Sequence, residues 1–82
     1  MKGEIVERVV TYLAKAIAED PDAVQVTMIQ EGPDEVLAEV RTAKRDMGRV
    51  IGRRGRVANA IRTVARAAGD EEGLQADVEF VD

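Results

Sequence analysis

Two glycines three residues apart, Gly52 and Gly55, interrupt the helical pattern of the chain and constrain its fold more than any other feature. Apolar residues recur at three- and four-residue spacings on both sides of them, which predicts a short helix over residues 43–51 and a longer one over residues 57–69. The apolar face of the longer helix includes Val64. Glycine adopts positive φ at little steric cost, so this spacing predicts a tight turn between two consecutive helices.

A further helix and three strands are predicted in the rest of the chain. A helical stripe that includes Ile5 predicts a helix over residues 2–19, which Pro21 ends. Gly69 is predicted to cap the last helix, and residues 70–73 to form an acidic turn. Alternating apolar and polar residues predict strands over residues 24–28, 36–41 and 76–80. The order α-β-β-α-α-β predicts a two-layer α+β domain, a three-stranded sheet with its helices packed on one face.

Length and composition exclude several kinds of function. The 82 residues suffice for a single domain, which we expect to span residues 1–82. Cysteine, histidine and serine are all absent, so disulfides, the usual zinc ligands and the common nucleophiles of hydrolases are absent too. We therefore expect no metal, no cofactor and no catalytic activity.

The pattern of apolar residues also bears on where the protein acts. The chain has no run of the ~20 apolar residues that a membrane-spanning helix needs. Its first residues lack the basic stretch and apolar run of a secretory signal. We therefore expect a soluble, cytoplasmic protein.

The charge of the chain is divided unevenly along its length. The net charge is −4, yet residues 41–66 hold nine basic residues against one acidic residue, Asp46, a net +8. The other 56 residues hold three basic and fifteen acidic residues, a net −12. Salt screens exposed charges beyond roughly 8–10 Å, so a local basic segment can contact phosphates on an otherwise acidic protein. This distribution favours a nucleic-acid partner.

The residues around the two glycines resemble a known family. KH domains carry the signature Val-Ile-Gly-x-x-Gly, which the chain resembles at Val50-Ile51-Gly52-Arg53-Arg54-Gly55. The predicted element order is similar to that of the bacterial, type II KH domains. The small size, without an appended domain, resembles the stand-alone bacterial KH proteins of the KhpA type.

The resemblance implies a function and partners. KH domains of this kind clamp about four nucleotides of a single strand at the Gly-x-x-Gly loop. It implies a non-catalytic protein that binds single-stranded RNA, or single-stranded DNA, and acts as a post-transcriptional regulator or RNA chaperone. It also implies a homodimer, or a heterodimer with a larger KH-containing protein of the KhpB type.

The predicted binding residues surround the loop. Backbone amides at the start of the following helix lack partners and carry a partial positive charge, which suits a phosphate. Arginine side chains add bidentate contacts to neighbouring phosphates. Arg62 and Arg66 are left open, either as further contacts or as solvated helix residues. The predicted RNA-binding residues are Gly52, Arg53, Arg54, Gly55, Arg49, Arg56, Val50, Ile51, Lys44, Arg45 and Arg41.

Two alternative functions remain open from the residues alone. A protein-interaction or dimerisation module would use RNA binding only secondarily, and a small, weak domain gains avidity from pairing. A DNA-binding helix-turn-helix would place residues 56–68 in the major groove. A P-loop is excluded, because its pattern needs glycines five residues apart followed by lysine and a hydroxyl residue.

Overall fold

The elements of the fold follow the predicted order. The computed structural model describes residues 2–81, so Met1 and Asp82, part of the predicted domain 1–82, lie outside the described residues. Single 3-10 turns precede β1, α2 and α3, and no helix among residues 2–81 is long and apolar enough to cross a membrane. The six main elements are α1 (Glu4–Ile17), β1 (Gln25–Gly32), β2 (Glu35–Arg41), α2 (Met47–Ile51), α3 (Arg56–Glu72) and β3 (Gln75–Phe80).

The three strands form one mixed sheet with β2 in the centre. β1 and β2 are antiparallel and form a hairpin, in which Met28 pairs with Ala38. β3 lies parallel to β2 on its other side, where Val78 pairs with the same Ala38. A parallel neighbour requires a long crossover. Here α2 and α3 provide that crossover. They carry the chain over one face of the sheet, and the turn that contains Gly52 and Gly55 lies between them.

The core lies between this sheet face and the helices. The central strand β2 alternates in the predicted way, with every second residue buried. α1 and α3 pack on each other and on the sheet, so the α+β, two-layer fold is confirmed. The core residues of these elements are Val6, Val10 and Ala14 of α1, Val36, Ala38 and Val40 of β2, and Ile61 and Ala65 of α3.

The end of α3 differs from the prediction. The helix does not stop at Gly69 but continues to Glu72, and Gly73, at φ 70°, caps it instead. The acidic residues 70–72 are therefore helical rather than part of a turn. Gly69 is buried inside the helix. A Cβ there would lie 2.8 Å from the carbonyl oxygen of Leu74 and 2.9 Å from the Cβ of Ala76, so there is no space for a side chain. This glycine lets α3 approach β3 closely.

Some residues of the predicted apolar faces are exposed. Ile5 of α1 and Val64 of α3 are 41% and 43% exposed, although their helical stripes assigned them to the buried side. Tyr12 of α1 is 72% exposed. These residues lie together at the outer side of the two helices, where they line a shallow groove.

Candidate nucleic-acid interface

The loop between α2 and α3 is a tight turn that contains three residues with positive φ. Gly52, Arg54 and Gly55 have φ angles of 79°, 58° and 71°. Arg54 is the one non-glycine residue with positive φ among residues 2–81. The amide of Gly55 donates to the carbonyl of Gly52 at 3.0 Å, which closes the turn. We define the segment from Gly52 to Gly55 as the glycine loop.

The two glycines of the loop serve different purposes. A Cβ on Gly52 would lie 2.5 Å from Cγ2 and 2.9 Å from the backbone nitrogen of Val57, so the chain can pass this point only without a side chain. A Cβ on Gly55 would meet nothing within 4 Å. Gly55 therefore supplies a left-handed conformation and leaves the space above the start of α3 open.

The N-terminus of α3 faces the glycine loop without a side-chain cap. Gly55 is the N-cap residue, no side chain bonds to the first amides, and the first turn contains no acidic residue. The amide of Arg56 donates to the carbonyl oxygen of Arg53. Amides without such a partner at the N-terminus of a seventeen-residue helix carry a partial positive charge and attract an anion. This end of α3 can therefore accept a phosphate group.

The arginines of the loop point into solvent and have no acidic partner. Arg53, Arg54 and Arg56 are exposed, and no carboxylate of residues 2–81 lies within 4.0 Å of their guanidinium groups. Lys44 and Arg45, on the 3-10 turn before α2, are also exposed, and no carboxylate of the described residues lies within 4.0 Å of their charged groups. Five cations of the basic segment are thus free to contact phosphates.

Two other predicted residues already have acidic neighbours. Arg49 of α2 donates a hydrogen bond to Glu19, and Arg41 at the end of β2 lies 3.7 Å from Glu39. The Arg49–Glu19 pair is solvent-exposed, and such pairs contribute little to stability, so a phosphate can replace Glu19 at low cost. The Glu39 side chain is only 23% exposed.

The apolar residues of the predicted site lie beneath the loop. Val50 is fully buried, so it supports the loop from the core side and has no surface with which to contact RNA. Ile51 and Val57 are half-buried on either side of the loop, and Ala58 is buried. The surface near the loop thus combines exposed cations with a partly apolar floor.

A buried carboxylate holds α2 in place. Asp46 is 1% exposed and accepts hydrogen bonds from the amides of Glu19 and Asp20, at 3.1 and 3.0 Å. The bond from Asp20 lowers the pKa of Asp46 most; burial opposes it, and the bond from Glu19 and the charges of Arg45 and Arg49 lower it further. The carboxylate joins the chain after α1 to the start of α2.

The buried position of Asp46 also alters the charge at the surface. Sequence reasoning treated Asp46 only as the one acidic residue of the basic segment. Because its carboxylate is buried, the exposed side chains of residues 41–66 are all neutral or basic. The signal in the sequence was a lone aspartate just before an apolar helix, but its partners lie 26 and 27 residues away.

The side of α3 that faces β3 carries a second polar cluster. Nε of Arg62 donates to the carbonyl oxygen of Val78 at 3.1 Å, and Nη1 donates to Oδ1 of Asn59 at 3.0 Å. The guanidinium carbon lies 5.6 Å from the ring centre of Phe80. Arg62 is therefore held against the strand and is not a freely solvated helix residue.

Arg66 belongs to the same side of α3 but is held less firmly. Its Nη2 lies 3.6 Å from Oδ1 of Asp77, and its side chain is 59% exposed. The same carboxylate oxygen lies 3.9 Å from Nε of Arg62. The aspartate thus partly neutralises both arginines.

Comparison with known proteins adds an independent result. A family model described as the KH domain of KhpA and KhpB matches residues 7–80. A protein named RNA-binding protein KhpA from Caldanaerobacter subterraneus subsp. tengcongensis is 42% identical over 79 residues, 96% of this chain and 99% of that protein. Proteins of the same name from Streptomyces coelicolor and Aquifex aeolicus are 42% and 36% identical, over 95% and 90% of this chain and 96% and 92% of their own lengths.

Replacement of Asp46 by asparagine should destabilise the protein in a pH-dependent way. The pKa of this aspartate is lowered by folding, so its ionised form stabilises the native state at neutral pH. That stabilisation should be lost as the pH falls below about 4, where the unfolded chain takes up the proton first. We expect the variant to melt several degrees below wild type at pH 7, and the difference to shrink in acid.

The exposed Asp22, close in sequence to the segment that Asp46 binds, provides the control. Thermal melts of wild type, Asp46→Asn and Asp22→Asn between pH 3 and pH 7 give the comparison. A melting difference for Asp46→Asn that stays constant over this range would contradict the assigned role of its charge.

Proposed function

The chain belongs to the KhpA/KhpB family of KH domains, and on that premise we propose that it is a non-catalytic protein that binds single-stranded RNA at the glycine loop. The observation that carries the proposal is the open N-terminus of α3, uncapped by any side chain and flanked by Arg53, Arg54 and Arg56. A single domain of this kind contacts a short stretch of about four nucleotides.

The charge distribution supports binding through the phosphates. The cations around the loop are exposed and the one aspartate among them is buried, so a polyanion meets mostly attractive charge there, although Glu19, bonded to Arg49, is an exposed carboxylate nearby. Carboxylates dominate the rest of the surface and repel a strand that approaches elsewhere. Phosphate contacts are common to RNA and DNA, so single-stranded DNA is a second ligand under this proposal.

Base contacts near the loop must come from groups other than stacked aromatic rings. Tyr12 and Phe80 are the chain's two aromatic residues, and neither lies on the loop. A single domain with this surface binds RNA weakly and recognises only a short sequence. This suits a post-transcriptional regulator or RNA chaperone that contacts many transcripts, which is the cellular role we propose.

Self-association is a second proposed property, and the groove on the outer side of α1 and α3 supports it. The groove has a volume of about 620 Å³, and its lining is mostly apolar: Ile5, Arg8, Val9, Tyr12, Leu13 and Val64. Isologous dimers pair one such patch with its copy. Tyr12 is 72% exposed, and a large amphipathic ring is a typical anchor of an interface.

None of the residues that line the groove belongs to the glycine loop, so the groove and the loop can be occupied together. Val64 lines the groove, whereas Arg62 and Arg66 lie against β3. Residues two apart on a helix are about 200° apart around its axis, so the two surfaces lie on opposite sides of α3. A homodimer, or a heterodimer with a larger KH-containing protein of the KhpB type, would then present two loops to one strand and gain avidity.

Charge reversal at Arg53 and Arg54 should abolish RNA binding without unfolding the protein. We expect wild type to bind a fluorescent single-stranded RNA of random sequence with a log–log salt slope of about −2 to −3.5, which corresponds to ~3–5 phosphate contacts. The double variant Arg53→Asp/Arg54→Asp should lose most of the affinity and the slope. Fluorescence anisotropy at several salt concentrations measures both quantities.

The control variant is Lys2→Asp/Lys15→Asp, which changes the net charge equally but lies outside the basic segment. It should retain most of the affinity of wild type, because its charges lie away from the loop. Equal loss of binding in both double variants would show that RNA responds to net charge and not to the loop. Unlabelled single-stranded DNA of the same sequence, added as competitor, tests the second ligand.

Replacement of Tyr12 by aspartate should weaken self-association. A charge in the middle of the groove must be desolvated when two copies meet, so we expect the dimer dissociation constant to rise about tenfold or more. Sedimentation equilibrium over a range of concentrations measures it. Ile29→Asp, at an exposed apolar residue of β1, is the control and should leave the constant unchanged. A wild-type protein that stays monomeric at high concentration would refute the proposal.

A further inference from the structure

The sheet has a second face, which the helices leave open. α1 and α3 pack on the face that carries Val36, Ala38 and Val40 of β2. Successive side chains of a strand point to opposite faces, so Leu37 and Glu39 lie on the other side of the sheet. The core of residues 2–81 includes no strand side chain from that side. We call this side the open face.

An apolar pair lies at the centre of the open face. Ile29 of β1 pairs with Leu37 of β2 across the hairpin, and Leu37 pairs with Asp77 of β3 on its other side. Ile29 is 36% exposed and Leu37 is half-buried. The solvent-facing side of a sheet ordinarily carries polar residues. These two side chains are therefore apolar surface that lies outside the core.

Carboxylates border the apolar pair in both directions along the strands. Glu35 stands two residues before Leu37 on β2, and Glu39 stands two residues after it. Glu39 pairs in turn with Glu79 of β3. The three described strands bring one cation to the open face, Arg41, which lies 3.7 Å from Glu39 and offsets part of its charge. The open face is therefore acidic with an apolar centre.

The pairing of Glu39 with Glu79 places two like charges side by side. Neighbouring strands lie about 4.8 Å apart, so the two carboxylates repel each other and weaken the sheet. No basic group of residues 2–81 lies within 4.0 Å of Glu79, whereas Asp77 lies 3.6 Å from Arg66. A cation from another molecule that contacts both glutamates relieves the repulsion. Local departures from a stable arrangement are typical of functional surfaces.

The dimensions of the open face fit a single α-helix. Three strands about 4.8 Å apart span about 10 Å between the outer two, and a helix with its side chains is about 10–12 Å across. Residues two apart on a strand are about 7 Å apart, so Glu35 and Glu39 lie about 7 Å on either side of Leu37. That spacing is a little more than one helical turn of about 5.4 Å. A helix laid along the strands can therefore place apolar side chains over Leu37 and basic ones a turn away in each direction.

We propose that the open face binds a cationic amphipathic helix of a partner protein. The apolar side of that helix covers Ile29 and Leu37, and its lysines or arginines contact the carboxylates on either side. A nucleic acid is repelled by the same carboxylates. The glycine loop contributes no residue to the open face, so RNA and the partner occupy different surfaces. Under the proposed function, the protein thus connects a cationic partner to the RNA that it binds.

A designed peptide tests the proposal in the absence of RNA. The probe has about 18 residues of leucine, lysine and arginine with the leucines on one side of the helix, and the control peptide has the same composition with the leucines on all sides. Isotope-labelled protein is titrated with each peptide, and its amide resonances report the site and the dissociation constant. We expect the amphipathic peptide to bind about fivefold or more tightly and to shift the amides of the three strands most.

Matched variants remove the same number of charges on and off the open face. Glu39→Gln/Glu79→Gln should weaken binding of the amphipathic peptide about fivefold or more, and should melt no lower than wild type because the repulsion is gone. Glu4→Gln/Glu71→Gln changes exposed residues of α1 and α3 and should keep the affinity of wild type. Ile29→Thr keeps a β-branched residue but removes apolar surface, so the preference for the amphipathic peptide should shrink.

Three results would overturn the proposal: no preference of wild type for the amphipathic peptide, equal affinity of Glu39→Gln/Glu79→Gln and wild type, or shifts confined to the helices. If a second copy of the chain is the occupant, self-association weakens in Glu39→Gln/Glu79→Gln. Sedimentation equilibrium detects that result, which would also overturn the proposal. Failure to bind RNA would instead refute the proposed function and leave the open face as a protein-binding surface.

Discussion

The glycine loop depends on the close passage of the chain at Gly52 past Val57. The backbone nitrogen and side chain of Val57 lie where a Cβ on residue 52 would be, so the turn can form only with glycine there. This close approach ends α2 and starts α3 within four residues, with Gly55 as N-cap. The N-terminus of α3 consequently lies at the glycine loop with open space beside Gly55, and this is where we propose that a phosphate binds.

A turn of this kind needs rigid support on both sides, and the two sides are supported differently. α3 is long and packs on α1 and the sheet, whereas α2 has five residues and could not persist alone. Two residues hold this short helix in place. Asp46 accepts hydrogen bonds from two amides of the chain after α1, and Val50 is completely buried in the core. The same bonds turn the carboxylate of Asp46 inwards, so one interaction both fixes α2 and removes the one acidic side chain of residues 41–66 from the surface.

Local patterns predicted most of the fold, and contacts between distant residues account for what they missed. The alternation of β2 and the stripes of α1 and α3 are local, and the order of elements was correct. The prediction that Gly69 caps α3 was wrong. In a sequence, a glycine that caps a helix cannot be told from one that allows close packing, and only the position of Ala76 in the fold shows which role Gly69 has. The hydrogen bonds of Asp46, and the bond from Arg62 to Val78, join residues at least 16 positions apart, which no local pattern contains.

Amide NMR can detect whether a phosphate binds to the backbone at the start of α3, as we propose. A titration of isotope-labelled protein with a short single-stranded RNA should move the amide resonances of residues 52–58 most, in proportion to occupancy. Amides in β1, on the far edge of the sheet, should change little. Resonances of residues 52–58 that stay fixed while amides elsewhere shift on saturable binding would contradict the account.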